Sequence, residues 1–273
     1  MGNLKISYHS CKYVSIKSTK TKCSKIKAFK NYFMNIKVLY EDNHIIAVVK
    51  PAGVLTQGDG SGEKCLMDFV KDYLKEKYKK PGQVFLGLVH RLDKPVQGIV
   101  LFGKTSKGAS RLSEQFRNHT IQKTYFAIVL GKPKESGGVI KEKINKISFF
   151  AEGFTNKSDE ELLAEIKKAT KTRTAELSWE LVKSNEKYSL LKILPKTGRF
   201  HQIRVQLSSM GNPILGDTKY SKSLIVRPEA QLLQKNSIGL IASEIEFKTA
   251  TENKTINLKI DLPESWNKFL NEK

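Results

Sequence analysis

Apolar residues in this chain come in short, strand-sized runs, each closed by turn-forming Gly, Pro, Asn or Asp. That patterning constrains the fold more than any other feature. Residues 36–40 and 45–49 read as two strands joined across Glu41-Asp42-Asn43-His44, and Lys50-Pro51-Ala52-Gly53 ends the second. Further strands are expected over 84–89, 99–102, 124–130, 238–247 and 255–260, with a hairpin of 175–182 and 188–194 across Ser184-Asn185-Glu186-Lys187. Helical spacing is rarer. It places Leu66, Phe69, Val70 and Leu74 on one face of 65–78. It also puts Ala109, Leu112 and Phe116 on one face of a helix that Thr105 caps, running to about 118. A short helix is expected over 200–208 and another around Trp266. Strands outnumber helices and seldom alternate with them. The fold class is therefore α+β, an extended mixed, mostly antiparallel sheet flanked by helices and loops, not a doubly wound sheet.

The chain of 273 residues is 39% hydrophobic with 13 Phe, enough for a substantial core without staples. No run approaches the roughly 20 apolar residues that span a bilayer, so no membrane partner is expected. Cys11, Cys23 and Cys65 have no metal-ligand spacing and form an odd, sparse set, which suits a reducing cytoplasm better than a disulfide framework. Lys and Arg exceed Asp and Glu by 48 to 27, a net charge of +21. A chain this basic usually meets a polyanion, and nucleic acid is the commonest, although a Lys-rich proteome would produce the same bias.

Residues 1–34 hold eight Lys and no acidic residue. They read as a basic, disordered arm, with a true start at Met34 as the favoured explanation and a nucleic-acid-binding tail or targeting segment as alternatives. Residues 35–273 read as one globular domain, interrupted by a charged, exposed connector over 156–171.

Chemistry concentrates in two polar segments. His90-Arg91-Leu92-Asp93-Lys94-Pro95-Val96-Gln97-Gly98 lies between two apolar strands, where loops commonly display reactive groups. Arg91 and Lys94 would keep Asp93 ionised, hence nucleophilic or basic. Read locally, Asp93 is a turn cap paired with Arg91 more readily than a nucleophile. Thr197-Gly198-Arg199-Phe200-His201-Gln202-Ile203-Arg204 again joins a Gly turn to basic and amide side chains, and it could be a helix start or an RNA-backbone contact. Gly211-Asn212-Pro213-Ile214-Leu215-Gly216-Asp217 reads as a structural turn cluster. There is no G-x-G-x-x-G at a strand–helix turn, no P-loop, no C-x-x-C and no H-E-x-x-H, which disfavours a nucleotide cofactor or structural zinc.

In this order, with Leu39-Tyr40-Glu41-Asp42, Val49-Lys50-Pro51-Ala52-Gly53 and Lys123-Thr124-Tyr125, these segments resemble the RluA-type family of RNA pseudouridine synthases over residues 36–263. Val96-Gln97 stands where many members have Thr-Ser, and Leu240-Ile241-Ala242 where Leu-His-Ala is common. The resemblance implies isomerisation of uridine in a tRNA or rRNA stem-loop by a cytoplasmic monomer, with no cofactor and no metal. It implies that Asp93 is the nucleophile, that Tyr125 stacks on the target base, and that Arg204, or else Arg199, is the basic partner holding down the Asp93 pKa. Arg91 would displace the base or hold the RNA backbone, and His90, Lys123, Arg199, His201 and Gln202 complete the RNA-binding set. Attack at C1′, attack at C6 and a glycal route all stay open. Thirty-four residues are too few for the S4-type RNA-binding domain that many relatives carry. The alternative is a catalytically silent RNA-binding protein on the same scaffold. A glycoside hydrolase would need a second positioned acid, and only Asp93 sits in a convincing loop.

Overall fold

A computed structural model of the chain describes residues 36–144, 173–221, 233–234 and 236–271. The expectations for the 1–34 arm and the 156–171 connector lie outside these residues. Among the described residues, β1 (Val38–Glu41), β2 (Ile45–Lys50), β3 (Gly87–Leu88), β4 (Gln97–Gly103), β5 (Gln122–Leu130), β6 (Gly137–Ile144), β7 (Arg173–Ser184), β8 (Tyr188–Pro195), β9 (Leu240–Lys248) and β10 (Thr255–Lys259) form one sheet. The order is β1-β2-β4-β9-β5-β8-β7-β6, with β3 pairing β4 and β10 pairing β9. Every pairing is antiparallel except β4 with β9, which run parallel at Gln97–Ile241 and Gly98–Ala242. The fold is α+β with a mixed, mostly antiparallel sheet, as expected.

Sequence pattern follows position in the sheet. β2 and β4 are covered on both faces and read as nearly unbroken apolar runs. β10 alternates exposed and half-buried residues, the period-2 pattern of a one-sided strand. Helix α1 (Leu66–Lys77) buries the four residues its spacing predicts, and α2 (Ser106–Arg117) starts where Thr105 Oγ1 accepts from the Gly108 N–H. One core cluster joins Leu112 of α2 to Ile45, Ile99, Leu101, Ile245 and Phe247. A second packs Trp266, Phe269 and Leu270, at and beyond a C-terminal 3-10 turn, on Ile128, Tyr188 and Leu190.

Two expectations differ. The strand over 84–89 shrinks to the two residues of β3, because the sheet's next donor, the Leu101 N–H, is taken by a His90 ring nitrogen instead of backbone. β6 was not anticipated: its Gly-Gly start and charged Lys and Glu conceal a strand whose outer side chains stay in solvent.

Glu41, at the end of β1, anchors α1 and β4 together. Its carboxylate accepts from Lys77 and Lys104 at 2.6 Å each and from the Tyr73 and Tyr78 hydroxyls. Burial alone would raise its pKa, but the bonds from Lys104, Lys77 and Tyr78 outweigh that and bring it down to about 2. A carboxyl depressed on folding stabilises above its unfolded pKa and loses that contribution as pH falls towards the folded value. Glu41→Gln should therefore cost about 1–3 kcal/mol at neutral pH. In thermal melts its deficit against wild type should narrow as pH drops from about 4.5 towards 2.

Candidate active site

The segment from His90 to Gln97 is built into a rigid loop by partners its own sequence does not reveal. His90 packs its ring at a tilt against Phe116, 4.6 Å between centroids, and uses Nε2 to accept from the Leu101 N–H. Burial, aided by the charge of Lys123, lowers its pKa to about 3, so the ring is neutral and Nδ1 carries its proton. Thr56 Oγ1 both accepts from the Leu92 N–H and donates to the Leu92 carbonyl. The Gly53 N–H and the Lys50 ammonium both donate to the Lys94 carbonyl. Lys50 is fully buried, and it also donates to the carbonyls of Pro51 and Val54. Burial lowers its pKa to about 7, against an opposing pull from Asp93. A lysine closing an apolar strand thus ties the turn after β2 to the residue that follows Asp93.

The second segment forms the opposite wall. His201 caps α3 (Gln202–Ser209) at φ +50°, a left-handed conformation uncommon outside Gly. Gln202 accepts from Thr197 Oγ1 and the Arg199 N–H and donates to the Glu176 carbonyl, so its amide holds the turn. Arg199 Nε donates to the Thr174 carbonyl at 3.1 Å. Arg204, in the first turn of α3, reaches across with Nη1 3.3 Å from Asp93 Oδ2. Of the two candidate arginines, Arg204 is therefore the one that contacts Asp93. Its Nε and Nη2 grip Asp217 in a two-pronged pair at 2.7 and 2.8 Å. Asp217 belongs to the cluster read as a structural turn; an acidic residue in so basic a region was the available signal. His201 Nε2 lies 3.5 Å from the same Asp93 oxygen.

Between these walls lies a cleft of about 500 Å³, and all of the residues expected at the site line it: His90, Arg91, Asp93, Lys123, Tyr125, Arg199, His201, Gln202 and Arg204. Sequence reasoning missed Arg117 and His119, at the end of α2 and just beyond it, which add to its rim. Tyr125 is half-buried in β5, and desolvation together with the Asp93 charge pushes its phenol pKa well up, so it stays protonated. Lys123 faces the cleft with its pKa lowered by burial.

One electrostatic expectation fails. Arg204 was expected to hold Asp93 below the ordinary carboxylate range, yet burial raises the Asp93 pKa and outweighs Arg204 and Lys50. The physical reason is that Arg204 is shared: two of its donors are spent on Asp217 and the third meets Asp93 at longer range. Asp93 is consequently a partly desolvated carboxylate, more basic and more reactive than an exposed one.

Residues 44–209 match the family model described as RNA pseudouridylate synthase. The chain belongs to that family. Among pseudouridine synthases it is 31% identical to tRNA pseudouridine synthase C of Vibrio cholerae, over 87% of this chain and 95% of that one. It is 36% identical to ribosomal large subunit pseudouridine synthase C of Rickettsia felis, over 83% of this chain and 67% of that one. In structure it superposes on human RNA pseudouridylate synthase domain containing 4 with a TM-score of 0.67 at 23% identity, covering 90% of this chain and 95% of that one. That likeness establishes the pseudouridine synthase fold. The chain is an RNA pseudouridine synthase, an isomerase.

Proposed function

We propose that this synthase rearranges uridine in a tRNA or rRNA stem-loop with Asp93 as its nucleophile and without a cofactor. The observation that carries the reading is a half-buried carboxylate, its pKa raised by desolvation, that lines a basic cleft with an arginine in contact and a half-buried tyrosine on the same lining. The reaction breaks the C1′–N1 bond and joins C1′ to C5; C5 loses a proton and N1 gains one. No electrons are gained or lost, so one well-placed carboxylate suffices in principle. It can attack C1′ or C6, or remove the C2′ proton on a glycal route.

The target base must leave its stack to be turned over. The ring of Tyr125 offers a face for it, and the neutral phenol repels no developing negative charge on uracil. Arg91, Lys123 and Arg199 meet phosphates, so affinity falls steeply with salt. His90, held through Nε2, and Gln202, held through both ends of its amide, act by keeping the two walls in shape. The RNA classes come from the names of the relatives, one acting on tRNA and one on the large ribosomal subunit. We read the chain as a monomer working in the cytoplasm.

The test is tritium release from RNA carrying 5-tritiated uridine. Release at catalytic rates is expected; RNA binding without release would make the chain a silent binder. Pseudouridine mapping of total RNA from a deletion strain against its parent then identifies the uridine.

A further inference from the structure

Tyr220 touches both His201 and Arg204, which approach the same oxygen of Asp93. Its hydroxyl lies 2.5 Å from His201 Nδ1, and its ring lies under the Arg204 guanidinium at 4.9 Å. Its backbone carbonyl accepts a hydrogen bond from Ser208, which anchors it to α3. Resting on the reading of Asp93 as the nucleophile, we propose that Tyr220 is a positioning residue. Its hydroxyl donates to His201 Nδ1 and fixes the imidazole as the Nε2–H tautomer, which turns that N–H towards Asp93, while its ring carries Arg204.

The argument is one of donors and acceptors. Burial, with the charges of Arg204, Lys219 and Arg91, lowers the His201 pKa to about 3, so the ring is neutral and holds a single N–H. Were that proton on Nδ1, a lone pair on Nε2 would face the Asp93 oxygen at 3.5 Å and repel it. Burial pushes the Tyr220 phenol up, so its hydroxyl keeps the proton it donates. Nδ1 then accepts, and Nε2 must carry the ring's proton. Asp93 needs this second donor, because it is largely withdrawn from water and Arg204 spares it only Nη1. The 3.5 Å separation is long for a hydrogen bond, as catalytic contacts often are before substrate tightens them. The other ionisable groups facing Asp93 are Asp217 beyond α3, Lys50 at the end of β2 and Tyr125 on β5.

Tyr220→Phe keeps the ring and removes the hydroxyl. Its kcat is expected to fall roughly tenfold, the effect of losing one hydrogen bond that supports a charge, with KM and RNA affinity unchanged. The acid limb of its kcat profile should move to higher pH, because a less supported carboxylate protonates earlier. In a cycle with His201→Gln, whose amide N–H does not depend on Tyr220, the double variant should be no slower than His201→Gln alone. Wild-type kcat with an unmoved acid limb, or additive losses in the cycle, would overturn the proposal. Nitrogen-15 shifts of His201 in the unaltered protein provide a readout that requires no folding of a variant. An unprotonated Nδ1 supports the assignment, and a protonated Nδ1 sinks it. Turnover persisting in Asp93→Asn would instead unseat the nucleophile and leave the tautomer result standing.

Discussion

Asp93→Asn is expected to abolish isomerisation, with kcat down on the order of 10⁴-fold or more, as when a catalytic nucleophile is removed. RNA binding should persist, since Asn has the same shape and removing a negative charge from a basic cleft cannot weaken its hold on a polyanion. Tritium release measured beside filter binding separates the two effects. Among the described residues no nearby carboxylate can substitute: Asp217 is almost fully buried and gripped by Arg204. The same substitution should leave the thermal midpoint unchanged or slightly higher. A carboxyl whose pKa is raised on folding binds its proton more tightly in the folded state, so its ionised form subtracts stability at neutral pH. In the wild type, turnover should decline on acidification through a pKa above the free aspartate value of about 3.9. A decline only below that value, or substantial turnover in Asp93→Asn, would remove Asp93 from the chemistry.

How far the site was legible in the sequence depended on whether a residue's partners lie nearby in the chain. The helical face of α1 and the Thr105 cap involve residues three or four apart, and period alone exposes them. The walls of the cleft could be inferred from segment order, because each carries a dense polar motif between apolar runs. Distant pairings were hidden. Thr56 and Leu92 are 36 residues apart, Lys50 and Lys94 are 44 apart, and nothing in Lys50 announces a cation sealed by three carbonyls. The sharing of Arg204 between two aspartates was equally invisible, and with it the sign of the Asp93 pKa shift. Charge pairs on paper suggested a depressed carboxylate; only burial, a property of the whole fold, reversed that.

Gly98 carries the second large prediction, because it joins the two halves of the sheet directly beside the loop that holds Asp93. β4 meets β9 only at Gln97–Ile241 and Gly98–Ala242, the sole parallel pairing among the described strands. Gly98 sits at φ +139°, and a Cβ there would fall 2.3 Å from the Ala242 carbonyl oxygen and 2.6 Å from both its nitrogen and its Cβ. Gly98→Ala therefore combines backbone strain of about 1–3 kcal/mol with an overpacking cost of similar size, about 1–3 kcal/mol. Denaturant unfolding should show a loss of about 2–6 kcal/mol if these costs add, and kcat should fall further than stability alone explains, since the loop must shift with the strand. Gly60→Ala is the control: Gly60 also has a positive φ, +86°, but nothing lies within 4 Å of its would-be Cβ, so only the strain should appear. Adding Ala242→Gly to Gly98→Ala removes one of the three close contacts and leaves the two with backbone atoms. Rescue should therefore be partial. Full recovery would mean that side-chain crowding, not the approach of two backbones, makes glycine necessary at this joint.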